Sequence, residues 1–184
     1  TKERETHYKD GEKEGVETYW NEDGIKKSEK HYKDGKEEVE VEYYDNGNKY
    51  SETHYKDGEV DGVYTEWYEE GIMMSETHYK DGKLDGVCTE WCQDGTKIEE
   101  HYKDGKKEGV ETKWYEDGTM MSETHYKNDE LDGVETKWYE DGTKSMESHY
   151  KDGKEDGVAT IWDEDGNKES ESHYKDGKED GVAT

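Results

Sequence analysis

The sequence is poor in the residues that build a globular core. Only 26% of its 184 residues are hydrophobic, against roughly 45–50% in an ordinary soluble domain. No apolar run approaches the ~18 residues of a membrane-spanning helix, so no helix is expected to cross a bilayer. No Asn-x-Ser/Thr acceptor occurs, and N-glycosylation is not expected. Cysteine is nearly absent: Cys88 and Cys92 are the only two, which is compatible with either redox compartment. Four residues apart in one strand, they lie ~13 Å from each other, beyond the ~7 Å a disulfide tolerates. Inert thiols on a polar face are the expectation. Positive charge is also scarce: 26 Lys and Arg stand against 53 Asp and Glu, a net charge of -27. Such a surface repels phosphate backbones and anionic headgroups. Nucleic acid and membrane are therefore not expected as partners, and cations or basic proteins fit better. The chain starts at Thr1 without a methionine or a signal peptide, and so reads as trimmed, processed or part of something longer.

Low hydrophobicity with high net charge is ordinarily the composition of a disordered chain. The aromatic residues argue against that. They make up 12% of the sequence, all Trp or Tyr, and they keep a fixed spacing. All eight histidines stand in a His-Tyr-Lys step, at His7, His31, His54, His78, His101, His125, His149 and His173. Successive intervals are 24 residues, except for two of 23. Each tryptophan (Trp20, Trp67, Trp91, Trp114, Trp138 and Trp162) follows a histidine by 13 residues, and Tyr43 fills the slot in the second repeat one residue early. Order here must come from repetition.

One unit, His101 to Thr124, contains the Asp104-Gly105 and Asp117-Gly118 steps. Asp-Gly between alternating segments marks β-hairpins, because type I′ and G1-bulge turns need positive φ. The segments between the turns, about Val110–Tyr115 and Met120–Lys127, alternate with period two and are rich in Thr, Trp, Tyr and Val. A helix of ~12 residues does not fit between such turns. The expected fold is all-β: an elongated antiparallel β-meander of ~24-residue hairpin repeats in a single twisted sheet, with residues 1–184 forming one array of about seven and a half repeats. The first strand is expected around Thr6–Lys9, and the last breaks off at Thr184 inside a strand.

The recurring Tyr-Lys-Asp-Gly-Lys-x-Asp-Gly-Val-x-Thr-x-Trp-x-x-Asp-Gly pattern resembles MORN-type repeats, in the variant seen in bacterial proteins labelled antitoxin components. The resemblance covers the whole chain. It implies successive hairpins in one long sheet, and it implies little about function, since such repeats serve as scaffolds and binding surfaces in unrelated settings.

A three-residue Glu116-Asp117-Gly118 loop would pair Trp114 with Met120, Thr112 with Ser122 and Val110 with Thr124. The Val/Thr/Trp set would then share a face with the Ser/Thr/Tyr set, and Glu, Lys and His would form a wet lattice on the other side. Of the two missing residues, one precedes Val39 and one follows Trp91. The second is expected to be absorbed by a two-residue Asp94-Gly95 loop, which would pair Trp91 with Ile98 and Val87 with Tyr102.

The histidine row invites a metal reading. Equivalent histidines in neighbouring repeats stand ~9.5 Å apart, too far to share one zinc with ~2.0–2.1 Å bonds, so no metal bridging the repeats is expected. Asp163-Glu-Asp165-Gly166-Asn167 resembles half of a calcium loop but lacks the remaining ligands, which leaves weak, nonspecific calcium binding. No cofactor is expected. No nucleophile elbow, phosphate loop or metalloprotease motif occurs, and every candidate group recurs six to eight times where a catalytic residue would occur once. Two functions remain. One is a non-enzymatic structural protein that self-associates head to tail, by sheet continuation, or face to face. The other is a binding module whose stripe of Trp20, Tyr43, Trp67, Trp91, Trp114, Trp138 and Trp162 takes a peptide, a glycan or a basic protein.

Overall fold

A computed structural model describes residues 3–181, which contain strands and turns and no helix. The half-strand expected up to Thr184 lies outside the described residues. The chain divides into two compact units, Thr1–Cys88 and Thr89–Thr184. In the first, strands Gly15–Trp20, Lys26–Lys33, Lys36–Tyr43, Lys49–Lys56, Glu59–Trp67 and Met73–Lys80 pair in sequence order, each antiparallel to the next. In the second, the same holds for Lys97–Lys103, Gly109–Trp114, Met120–Lys127, Glu130–Trp138, Lys144–Lys151, Lys154–Trp162 and Lys168–Lys175. The antiparallel meander, two strands per repeat, is as expected. The expected first strand is broken, as Arg4–Glu5 and Tyr8–Lys9.

Two turn chemistries alternate. After each His-Tyr-Lys step the strand reverses over two residues, both with positive φ: Asp34 at 48° and Gly35 at 74° between the paired Lys33 and Lys36. That is the type I′ turn, whose twist suits a tight hairpin. After each tryptophan the reversal is wider. Tyr115 N–H donates to the Thr119 carbonyl at 2.9 Å, and Gly118 N–H to the Tyr115 carbonyl at 3.0 Å. Asp117 Oδ1 accepts from Thr119 N–H at 2.8 Å, fixing the loop from within.

The register differs from the expected one beyond the first pair. Trp114 does lie opposite Met120, but Lys113 lies opposite Ser122, Thr112 opposite Glu123 and Val110 opposite His125. Met121 is an extra residue in a β-bulge, and one extra residue moves every later pair by one. The wet-lattice reading of histidine is therefore corrected. Tryptophan, threonine and valine of one strand share a face with lysine (or methionine), glutamate and histidine of its neighbours. The opposite face carries tyrosine, serine and threonine beside the remaining Glu and Lys.

The two one-residue deletions fall at bulges. The segment Cys92–Thr96 keeps the wide-turn bonds, Cys92 N–H to Thr96 carbonyl at 2.9 Å and Gly95 N–H to Cys92 carbonyl at 3.0 Å. The expected two-residue loop does not form. Ile98, Glu99 and Glu100 match Ser122, Glu123 and Thr124, so the residue missing after Trp91 is the counterpart of the bulged Met121. The other deletion removes a glycine before Val39, where a second kind of bulge shrinks to the single residue Glu38 between Glu37 and Val39.

There is hardly an apolar core. Among the described residues Val41 is the only buried hydrophobic one, and the other buried residues are Thr, Ser and Glu. Thr65, Thr89, Thr136 and Thr160 are buried down the middle of the tryptophan face, and Thr77, Thr124 and Ser148 down the middle of the other. Larger side chains on both flanks cover these small ones, which suits a sheet without a packed second layer.

Candidate functional site

The stripe residues occupy equivalent places, and each is half-buried rather than open. The side chain between successive rings explains this. Lys26, on the strand after Trp20, has its Nζ 4.0 Å from the centre of the Tyr43 ring. Lys49 stands likewise 5.3 Å from Trp67, Lys97 4.4 Å from Trp114 and Lys144 5.5 Å from Trp162. At these four places an ammonium group lies against a ring of the stripe. Lys26, Lys49, Lys97 and Lys144 also pair with Glu29, Glu52, Glu99 and Glu147 in the adjoining row. Met73 and Met120 take the lysine place opposite Trp67 and Trp114.

Histidine has a backbone partner. Opposite His125 the neighbouring strand bulges through Asp132, Gly133 and Val134. His125 Nδ1 lies 2.8 Å from the Val134 carbonyl. The same contact recurs between His78 and Val87, His101 and Val110, and His149 and Val158, at 2.8–2.9 Å. A carbonyl only accepts, so Nδ1 carries the proton. Gly133 has φ 123°, and a Cβ there would meet His125 Cβ at 2.9 Å. Only glycine fits under the ring.

The second Asp-Gly of each motif is therefore no turn. Its acid joins repeats. Asp61 accepts from the Asp81 amide at 3.1 Å, Glu108 from the Asn128 amide at 2.9 Å and Glu14 from the Asp34 amide at 3.0 Å. In five of these turns, those at Gly35, Gly82, Asp129, Gly153 and Gly177, the next amide donates to a carbonyl of the preceding repeat, as Gly82 to Val60 and Gly153 to Leu131, both at 2.9 Å. On the wide-turn side Tyr44, Tyr115 and Tyr139 donate through their hydroxyls, each at 2.8 Å, to the carbonyls of Trp67, Trp138 and Trp162 one repeat on.

The sequence carried a sign of the histidine role. Histidine precedes glycine by eight residues in seven of the eight repeats. The exception is the repeat that lacks the glycine, where His31 pairs directly with Val39.

Cys88 and Cys92 are half-buried and form no disulfide. Cys88 Sγ is 3.3 Å from Thr77 Oγ1. Among the described residues no group of three or more His, Cys, Asp or Glu side chains is placed to hold one metal ion. A shallow groove of about 500 Å³ opens between Asp94, Tyr115, Glu116, Asp117 and Glu140.

The MORN repeat variant family matches residues 13–34, 39–57, 60–81, 107–128, 131–152 and 155–176, well over half of the chain. This chain belongs to the MORN repeat variant family. The full-length matches begin soon after one type I′ turn and end in the next, so the MORN unit is a tryptophan strand, a wide turn and a histidine strand. The stretch between 81 and 107, which lacks the bulge residue, is outside the six matches. No curated protein matches the chain.

Proposed function

We propose that this MORN repeat protein is a non-enzymatic structural element that forms an extended rod or filament by continuing its β-sheet, within a chain and head to tail between copies. The observation that carries this reading is the repeat-to-repeat junction. Turn amides, bulge carboxylates and tyrosine hydroxyls are spent on joining each repeat to the next, and the same bonds recur in both units. A junction built of backbone groups and side chains that recur along the array is open to further copies of itself. Pairing of the aromatic faces would add lateral contacts. The other reading, a stripe that takes a peptide, a glycan or a basic protein, has to contend with lysines already seated over the rings. Negative-stain electron microscopy with light scattering of purified protein tests the proposal. Filaments or head-to-tail oligomers that grow with concentration are expected. A strict 21.6 kDa monomer at every concentration would rule out assembly between copies.

A further inference from the structure

On the tyrosine face of the second unit the side chains stand in rows across the strands, because residues paired in a sheet point to the same face. One row runs Lys113, Ser122, Lys137, Met146, Ile161 and Ser170, each paired with the next. In the adjoining row Glu111, Glu135 and Ala159 alternate with Thr124, Ser148 and Ser172.

In two successive repeats an ion pair ties the rows together. Lys113 Nζ is 3.0 Å from Glu111 Oε1, and Lys137 Nζ is 3.2 Å from Glu135 Oε1. In the next repeat the same two places hold Ile161 and Ala159. Opposite Ile161 stands Met146, at a place filled by Ser28, Ser51, Ser75 and Ser122 in other repeats. The exchange leaves an uncharged window of Met146, Ile161, Ser170, Ser148, Ala159 and Ser172. Lys137 and Glu135 bound it on one flank, and on the other Glu179 accepts from the Ser172 hydroxyl at 3.4 Å. Ile161 is 43% exposed. Its place holds Glu42, Glu66 or Lys137 elsewhere, so the fold itself does not call for an apolar side chain there.

Shape and charge say what covers the window. The row of Met146 and Ile161 is tall, and the row of Ser148, Ala159 and Ser172 is low. A second copy, turned by 180° about an axis running between the rows, sets its tall row over the low one and its low row over the tall one. That is an isologous contact between sheets stacked ~10 Å apart. With a net charge of -27, the chain can meet its copy here without setting carboxylate against carboxylate.

We propose that two copies pair through this window, tyrosine face on tyrosine face, with Met146, Ala159 and Ile161 at the centre of the contact. Three strands ~4.8 Å apart and two rows ~7 Å apart give it on the order of 200 Å². A stable complex buries roughly 800 Å² per partner, so the pair is weak and forms where copies are concentrated or already lie side by side. The contact goes beyond sheet continuation, which uses strand edges and leaves both faces open.

The test compares the full chain with the double variant Ile161→Lys/Ala159→Glu. The variant copies the ion pair of the two preceding repeats, and its added charges cancel, so neither fold nor net charge should change. Methyl NMR is followed at about 0.15 M salt, where repulsion between exposed charges reaches only ~8 Å. As the parent is concentrated, the methyl resonances of Ile161 and Met146 are expected to shift and to show contacts between labelled and unlabelled copies. In the variant those contacts should be lost while circular dichroism stays that of the parent and any head-to-tail oligomers persist. No contact between copies at Ile161 up to about millimolar concentration, or equal contact in the variant, would overturn the proposal. Contacts at Ile161 without growth of oligomers would support it while ruling out the filament.

Discussion

A histidine that recurs on a polar strand looks dispensable until its neighbour's backbone is considered. His125 covers Gly133 and holds the Val134 carbonyl, which the bulge has taken out of the ladder. Leaving such an acceptor without a partner costs about 1 kcal/mol at a half-buried site. His125→Ala is therefore expected to speed hydrogen exchange at Gly133–Glu135 several-fold, and this would show in exchange resolved by repeat. Trp114→Ala should loosen its own repeat and its neighbours more widely, because it removes a ring and the seat of Lys97.

Glu17 is the residue that ties stability to acid. Its side chain is fully buried. Burial pushes the carboxyl upward, but hydrogen bonds from Lys13, Thr6 and Tyr19 outweigh it and hold the pKa at about 2, below the ordinary 4.5. A depressed folded-state value means that the stabilisation is complete above about pH 4.5 and is lost as pH falls through about 2. Glu17→Gln should flatten that limb of an acid-unfolding curve followed by circular dichroism. An unchanged acid limb would show that Glu17 does not carry it.

At the scale of elements, turns and strands were legible because their signals are local. Asp-Gly steps and period-two alternation mark them directly. Bulges were not, because an extra residue is visible only against a partner strand. That is why Thr112 was expected opposite Ser122 and stands opposite Glu123. It is also why spacing alone points to the turn for the deletion after Trp91, which instead falls at the bulge. The aromatic stripe was legible as a row, but the lysines between its rings follow from register and not from spacing.

One turn departs from the pattern in a way that can be measured. Asn128 and Asp129 occupy the type I′ turn with φ of 50° and 71°, where the other turns have Asp and Gly. A non-glycine residue at such φ costs roughly 1–2 kcal/mol. Asp129 offsets part of this, since its Oδ1 accepts from the Lys107 amide of the preceding repeat at 2.7 Å. Asp129→Gly exchanges the bond for relief of strain and should leave the melting temperature nearly unchanged. Asp129→Ala keeps the strain and loses the bond, and should destabilise by about 1 kcal/mol in thermal melts.

For the whole molecule, charge decides when copies can meet. A chain with net charge -27 repels its copies over roughly a Debye length, ~10 Å at 0.1 M salt and ~30 Å at 0.01 M. Sheet continuation brings acidic turns together, Glu116 and Asp117 beside Glu140 being the pattern within one unit. Assembly should therefore be suppressed at low salt and promoted by anything that lowers this charge. Protonation does so as pH approaches the isoelectric point near 4.6, and calcium would do the same if it binds the carboxylates weakly and nonspecifically, as the sequence leads us to expect. Light scattering is expected to rise on adding calcium at about millimolar concentration and to fall again with EDTA, and to rise independently near pH 5. Sodium chloride at matched ionic strength separates screening from binding: an equal response to both salts assigns the effect to screening alone. If scattering ignores calcium, pH and salt together, repulsion between copies is not what limits assembly, and the filament reading loses its electrostatic basis.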